Sequence, residues 1–150
     1  MQFTNIVARR TRVPGRPLLG AMLRQARKRV LRDVFAALAR AGMDDLREPH
    51  MAIFQWPGPH GVGPLELARR ADMSKQAINQ LLGTLENSGY VVRRRDPAHG
   101  KQRVIELTAR GWRAIDVIRG AVTTIERDIE RKLGARRYRT VIEALQEIAD

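Results

Sequence analysis

The chain has 150 residues, seven of them aromatic, and 28 Lys+Arg against 16 Asp+Glu give it a formal net charge of +12. That length suits one domain with one mainly aliphatic core, and the charge bias points to a polyanionic partner, nucleic acid or an anionic surface. With no cysteine there is no thiol redox switch and no cysteine-ligated metal, as in a reducing compartment, and no run of about 18 apolar residues offers a membrane span.

The charge is unevenly spread. Arg9, Arg10, Arg12, Arg16, Arg24, Arg27, Lys28, Arg29 and Arg32 precede the first acid, Asp33, so +9 of the +12 sits in the first fifth of the chain. An Arg-rich, acid-free start also describes a mitochondrial transit peptide, but Pro14, Gly15 and Pro17 would break the amphipathic helix that such a peptide needs. No apolar segment follows Met1 to act as a secretory signal. Residues 1–16 therefore read as a flexible basic arm.

Pro17 suits the first position of a long helix, whose stripe Leu19, Met22, Leu23, Ala26, Val30, Val34, Leu38 and Ala41 has helical spacing. Gly42 closes it. A short helix is expected over about Leu46–Gln55, carrying Met51, Ile53 and Phe54. Trp56-Pro57-Gly58-Pro59-His60-Gly61-Val62-Gly63 then reads as a rigid loop that no helix or strand absorbs.

Pro64 opens another short helix, which ends in a turn at Ala71-Asp72-Met73. Ser74 offers an N-cap oxygen to the next helix, where Ile78, Leu81, Leu82 and Leu85 share one buried face. At 100° per residue, Gln76, Gln80, Gly83 and Asn87 lie opposite, with Lys75 and Asn79 on one flank and Thr84 on the other. This outer face is rich in amides rather than in solvating Glu and Lys, and Gln or Asn can hold the N6/N7 edge of adenine with two hydrogen bonds. An amphipathic helix is in itself most often an ordinary surface helix. What raises this one above that reading is its setting. Gly89 stops it as a left-handed cap, and two β-type runs follow, Tyr90–Arg95 and Arg103–Leu107, around Asp96-Pro97-Ala98-His99-Gly100. Arg93, Arg94, Arg95, Lys101 and Arg103 crowd this hairpin. Helix, turn, helix and basic hairpin make a winged helix-turn-helix.

Thr108 caps a second long helix with Trp112, Ile115, Ile118, Val122, Ile125, Ile129 and Leu133 at steps of three or four, close to a coiled-coil seam. Gly134 breaks it, and a last helix turns Tyr138, Val141, Ile142, Leu145 and Ile148 inward. The seam is longer than so small a domain needs for its own core, so a homodimer of interlocking terminal helices is expected.

The stretches LARRADMSKQAINQLLGTLENSGYV and RRRDPAHGKQRVIELTARG resemble the helix-turn-helix and the wing of the multiple-antibiotic-resistance regulator (MarR) family of bacterial transcription factors. Asp96-Pro97, Leu107-Thr108 and Gly111 fall where that family's wing motif places them. The strong motif covers 67–111, and order and spacing agree over 17–150. The resemblance implies a mainly α fold with a small β-hairpin wing. The basic arm (1–16) exceeds what the resemblance accounts for; 17–150 is a single domain, in which 17–45 and 109–150 are dimerisation helices and 46–108 is the winged helix-turn-helix. The resemblance also implies an obligate dimer on a pseudo-palindromic operator, with the helix over 75–87 in the major groove and the 90–107 wing in the minor groove. Many members are repressors released by a small, often aromatic, effector. The chain departs from the family at the wing tip, where His99-Gly100-Lys101 replaces the usual Asp-Arg-Arg. Lys101 is then the remaining minor-groove cation.

The expected DNA contacts are Ser74, Lys75, Gln76, Asn79, Gln80, Gly83, Thr84, Arg93, Arg95, Lys101 and Arg103, with Gln76 and Asn79 as readers on the first turns. His50, Phe54 and Trp56 are the residues nearest to an effector site, although packing is the simpler fate of Phe54. The three histidines lack the spacing of a zinc site, the acidic pairs lack a catalytic partner, and neither a phosphate-cradling loop nor a nucleophile elbow is present. No enzyme, metal or cofactor is expected. Double-stranded DNA, a second copy of the chain and a small aromatic effector are the expected partners, in the cytoplasm at the bacterial nucleoid. The rival is a nucleoid-architectural protein that binds DNA of any sequence through charge alone.

Overall fold

A computed structural model of the chain describes residues 15, 18–55, 61–96, 100 and 103–149. The basic arm apart from Gly15, together with Pro17, Trp56, His99 and Lys101, lies outside the described residues. In chain order the elements are α1 (Leu19–Arg40), α2 (Met51–Phe54, entered through a 3-10 turn at Glu48–His50), α3 (Pro64–Arg70), α4 (Lys75–Asn87), β1 (Val91–Arg95), β2 (Arg103–Leu107), α5 (Ala109–Leu133) and α6 (Ala135–Ala149). This is a mainly helical winged helix-turn-helix with long flanking helices. Two helix boundaries differ from expectation, and β1 begins at Val91 rather than at Tyr90. Helix α1 starts at Leu19 behind an extended Leu18, not at Pro17, and the helix expected over Leu46–Gln55 shortens to the 3-10 turn plus one α turn. Pro49 explains the shortened helix, because it cannot donate within a helix and is tolerated only in its first turn.

Three helices stop in the same way. After α1, α3 and α4 a residue adopts a left-handed conformation: Gly42 (φ 75°), Asp72 (φ 51°) and Gly89 (φ 76°). Each time the following N–H returns to a carbonyl of the last turn, Met43 to Leu38 (2.9 Å), Met73 to Ala68 (2.9 Å) and Tyr90 to Leu85 (2.8 Å). These bonds satisfy carbonyls that the helix leaves unpaired and turn the chain sharply. Asp tolerates this conformation better than most residues with a Cβ, so the tight turn between α3 and α4 forms without glycine.

The core lies where these turns point. Leu38, Leu67, Ile78, Leu82, Leu85 and Tyr90 are the largest fully buried side chains, and each aliphatic one contributes about 1.5–3 kcal/mol through burial. The hairpin is antiparallel, running from Val91↔Leu107 to Arg95↔Arg103. Its outer edge is not free. Val62 and Ile105 exchange backbone hydrogen bonds of 3.0 and 2.9 Å, which corrects the reading of 56–63 as a loop without strand character. The exposed edge of β2 needs partners for its N–H and C=O groups, and Val62 supplies them.

Helix α5 starts at Thr108, whose Oγ1 accepts from Gly111 N (3.1 Å), and packs along α1. Glycine at 111 is required: a Cβ there would sit 2.2 Å from the Tyr90 carbonyl oxygen. Gly134 (φ 82°) turns the chain into α6, which buries no residue within the chain. The expected inward stripe is therefore not inward here: Val141, Leu145 and Ile148 are exposed, as are Leu19, Met22 and Leu23 of α1 and Trp112 of α5. Among the described residues no helix is long and apolar enough to cross a membrane.

Candidate nucleic-acid interface

Ser74 caps α4 by accepting the Ala77 N–H at 3.1 Å, which fixes where the helix begins and which residues face outward. With Ile78, Leu82 and Leu85 buried, Lys75, Gln76, Gln80 and Thr84 are exposed, while Asn79 and Gly83 are half-buried. The side chains of Gln76 and Gln80 make no hydrogen bond among the described residues. Thr84 donates to the Gln80 carbonyl at 3.2 Å. Around Gly83 an added Cβ would meet nothing within 4 Å, so the fold itself does not demand glycine there.

Asn79 is placed differently. Its Nδ2 donates to the Lys75 carbonyl (2.9 Å) and its Oδ1 receives Arg93 Nη1 (3.4 Å). Arg93, on β1, also donates from Nε to Glu86 Oε2 at 3.1 Å. Two of the expected DNA contacts are thus occupied by one another and by Glu86, a residue that the sequence does not single out. A Glu in the last turn of a helix is ordinary, and no local pattern ties it to a strand.

The hairpin presents its other cations unevenly. Arg94 pairs with Glu106 at 2.8 Å. Arg95 and Arg103 stand directly opposite one another in the ladder, both exposed, without an ion pair among the described residues. Like charges at directly opposed positions repel, and an anion between them would relieve the repulsion. In the first helix of the motif, Glu66 takes hydrogen bonds from Arg69 and Arg70, which hold its carboxyl down at about 2. Those two arginines carry correspondingly less net charge toward a ligand.

The residues expected near an effector separate. His50 is buried, and its Nδ1 accepts the Arg47 N–H at 3.0 Å. Burial above all, then the nearby Arg47 charge, keeps its pKa below the usual value and the ring neutral. Phe54 is also buried, in a T-shaped pair with Tyr90 at 6.0 Å between ring centres. It lines a cavity of about 350 Å³ between α1, α2 and α5, walled by Val30, Val34, Ile118 and Val122, with Gln55 and Arg119 as its polar members. Arg119 carries no sequence signal of its own, being one exposed cation among many on a long helix.

The family model described as MarR family matches residues 60–102. No curated protein sequence matches the chain. A Mycobacterium tuberculosis MarR family protein in complex with salicylic acid is 27% identical, at a TM-score of 0.63 over 89% of this chain and 97% of that one. CouR from Rhodococcus jostii RHA1 bound to p-coumaroyl-CoA is 25% identical, at a TM-score of 0.67 over 87% and 90%. The transcriptional repressor CouR bound to a 23-mer DNA duplex shares the fold at a TM-score of 0.68 over 89% and 93%, with 24% identity.

Proposed function

We propose that this chain, a winged helix DNA-binding transcriptional regulator of the MarR family, is a homodimeric repressor that reads a pseudo-palindromic operator and is released by a small aromatic effector. The observation that carries the reading is the outer face of α4. Gln76 and Gln80 project exposed amides, without a hydrogen bond among the described residues, from a capped, well-packed helix, and the adjoining hairpin holds Arg95 opposite Arg103. Amides that donate and accept together discriminate bases in the major groove, and exposed arginines suit the phosphates or the narrow groove beside it. A purely electrostatic binder needs neither the amides nor their shared helix face.

The homodimer is supported by apolar residues exposed on α1, α5 and α6, which one chain leaves uncovered. Large exposed apolar surfaces of this kind mark association sites. The effector reading rests on the cavity beside Phe54, whose apolar walls and the cation Arg119 suit an aromatic ring bearing a carboxylate. Lys101 and the basic arm would add charge to the complex. Such a regulator works at the bacterial nucleoid, in the cytoplasm.

Binding to genomic fragments with excess competitor DNA tests the proposal. A preference of ~10³ or more for particular fragments is expected. A preference below about tenfold would instead favour an architectural protein that binds any sequence. Sedimentation at micromolar concentration tests the dimer, because a clean 17.0 kDa species would overturn it.

A further inference from the structure

We propose that Arg93 is a positioning residue, not a DNA contact: it locks the wing to the reading helix, and with Asn79 held in the same lock, base reading falls to Gln76 and Gln80. The inference rests on the proposed DNA-binding function and assigns roles within it.

The geometry carries it. Arg93 leaves β1 toward α4, and its guanidinium touches that helix at two levels. Nε donates to Glu86 Oε2 at 3.1 Å, while Nη1 and Nη2 reach Asn79 Oδ1 and Asn79 O at 3.4 and 3.5 Å. A guanidinium has five N–H donors in a fixed plane, so three of them engaged on one helix leave little freedom to turn outward. Its side chain is 26% exposed, against 64% for the neighbouring Arg94. A cation that seeks phosphate would show the opposite pattern.

Asn79 is held from both sides. Reading adenine takes both ends of an amide, the oxygen to accept from N6 and the nitrogen to donate to N7. Here the nitrogen donates back to the Lys75 carbonyl at 2.9 Å, and the oxygen faces Arg93. A short side chain that bonds back four residues is a familiar arrangement inside helices. The longer Gln76 and Gln80 are exposed and make no side-chain hydrogen bond among the described residues, which leaves both ends of their amides to a base.

The brace has a mechanical consequence. The Tyr90 N–H to Leu85 carbonyl bond sets only the turn that leaves α4. Arg93 adds a second point of attachment, which fixes the angle between α4 and the hairpin. If the helix lies in the major groove and the hairpin at the flanking minor groove, that angle sets whether both engage together.

Glu86→Ala gives the sharpest test, because charge and geometry predict opposite signs. Removing a carboxylate near DNA should strengthen binding by electrostatics alone, whereas removing the brace should weaken it. The probe is the duplex that the wild-type protein enriches from a random-sequence library. The expected results are a roughly tenfold weakening for Glu86→Ala, a similar one for Arg93→Lys, which keeps the charge, and an unchanged salt slope for Arg93→Ala. For comparison, losing a real phosphate contact lowers the slope by about 0.9. Asn79→Ala should leave base preference intact, whereas Gln76→Ala and Gln80→Ala should each relax it. Tighter binding by Glu86→Ala, or a lowered slope for Arg93→Ala, would overturn the inference. A DNA-free readout separates this from the function itself. Thermal midpoints of Glu86→Ala, Arg93→Ala and the double variant should be non-additive, as for residues in contact, and additive losses would remove the brace. Should the wild type enrich no sequence, the regulator reading fails, and the thermal comparison still decides whether the brace exists.

Discussion

The hydroxyl of Tyr90 donates to Asp45 Oδ1 across 2.6 Å, joining the residue that follows the Gly89 stop of the reading helix to the loop that follows α1. Arg110, from the start of α5, completes the group: it donates to the Tyr90 oxygen at 3.1 Å, lies 3.5 Å from Asp45 Oδ2, and places its guanidinium 4.6 Å from the Tyr90 ring centre. Three separate segments meet on one buried ring, which also packs at 84° to the ring of Phe54 on the cavity wall.

Tyr90→Phe keeps the ring and removes the junction. A hydrogen bond to a charged partner contributes about 1.5–3 kcal/mol. Because Asp45 is partly exposed and water can replace the hydroxyl, a loss of about 1–2 kcal/mol is expected. Chemical denaturation at neutral pH measures it. Burial raises the Asp45 pKa, but Tyr90, the backbone and Arg110 together outweigh it and bring the pKa below 3.8. Stability from this carboxylate is therefore present above pH 3.8 and lost as pH falls through its lower native value. The gap between wild type and variant should narrow over that acid range. A gap constant with pH would mean that Tyr90 does not act through the carboxylate.

His50 titrates with the opposite chemistry. Its native pKa lies below 6.5, so the unfolded chain takes up the proton first as pH falls. Its neutral form costs no stability above about pH 6.5. Below that, stability should decline by up to ~1.4 kcal/mol per pH unit until the native ring protonates as well. His50→Asn, which can still accept the Arg47 N–H, should abolish this component. Unfolding free energies at several pH values between 4 and 8 give the slope, and equal slopes in both proteins would refute the assignment.

Two glycines should respond in opposite directions to alanine. Gly111→Ala forces a Cβ against the Tyr90 carbonyl at 2.2 Å, and overpacking of this kind costs about 1–3 kcal/mol or more. Gly83→Ala meets nothing within 4 Å and should stabilise the helix by up to about 1 kcal/mol. If Gly83 serves close approach to DNA, the same substitution should weaken operator binding. Denaturation and binding titrations on both variants check the pair, and equal or tighter binding by Gly83→Ala would leave that glycine without a role in recognition.

Gln76→Ala and Gln80→Ala should each cost about 1–3 kcal/mol on the selected operator and relax preference at one position per half-site. Arg95→Ala should instead weaken all duplexes nearly equally and lower the salt slope by about 0.9 per lost contact. Titrations against single-base operator variants distinguish the two patterns. A uniform loss for the glutamine variants would remove them as readers.

Much of this was legible in the sequence, and for a common reason. Ser74 and Thr108 cap helices by accepting the N–H of the third residue on, Ala77 and Gly111, and Gly42 and Gly89 stop helices where the chain must turn left-handed. Such signals act over one helical turn, within reach of any one residue's own neighbours. The buried stripe of α4 and the β-type runs of the hairpin are likewise periodic, and period alone assigns their faces. The tertiary structure decided the pairings between segments. Nothing in the residue types says that Arg93, among three consecutive arginines, takes Glu86, that Asn79 is drawn into that pair, or that Val62 covers the edge of β2. Tyr90 and its acceptor Asp45 lie 45 residues apart. A hydrogen bond depends on where two groups arrive in space to within a few tenths of an ångström, and the packing of the whole core sets that position.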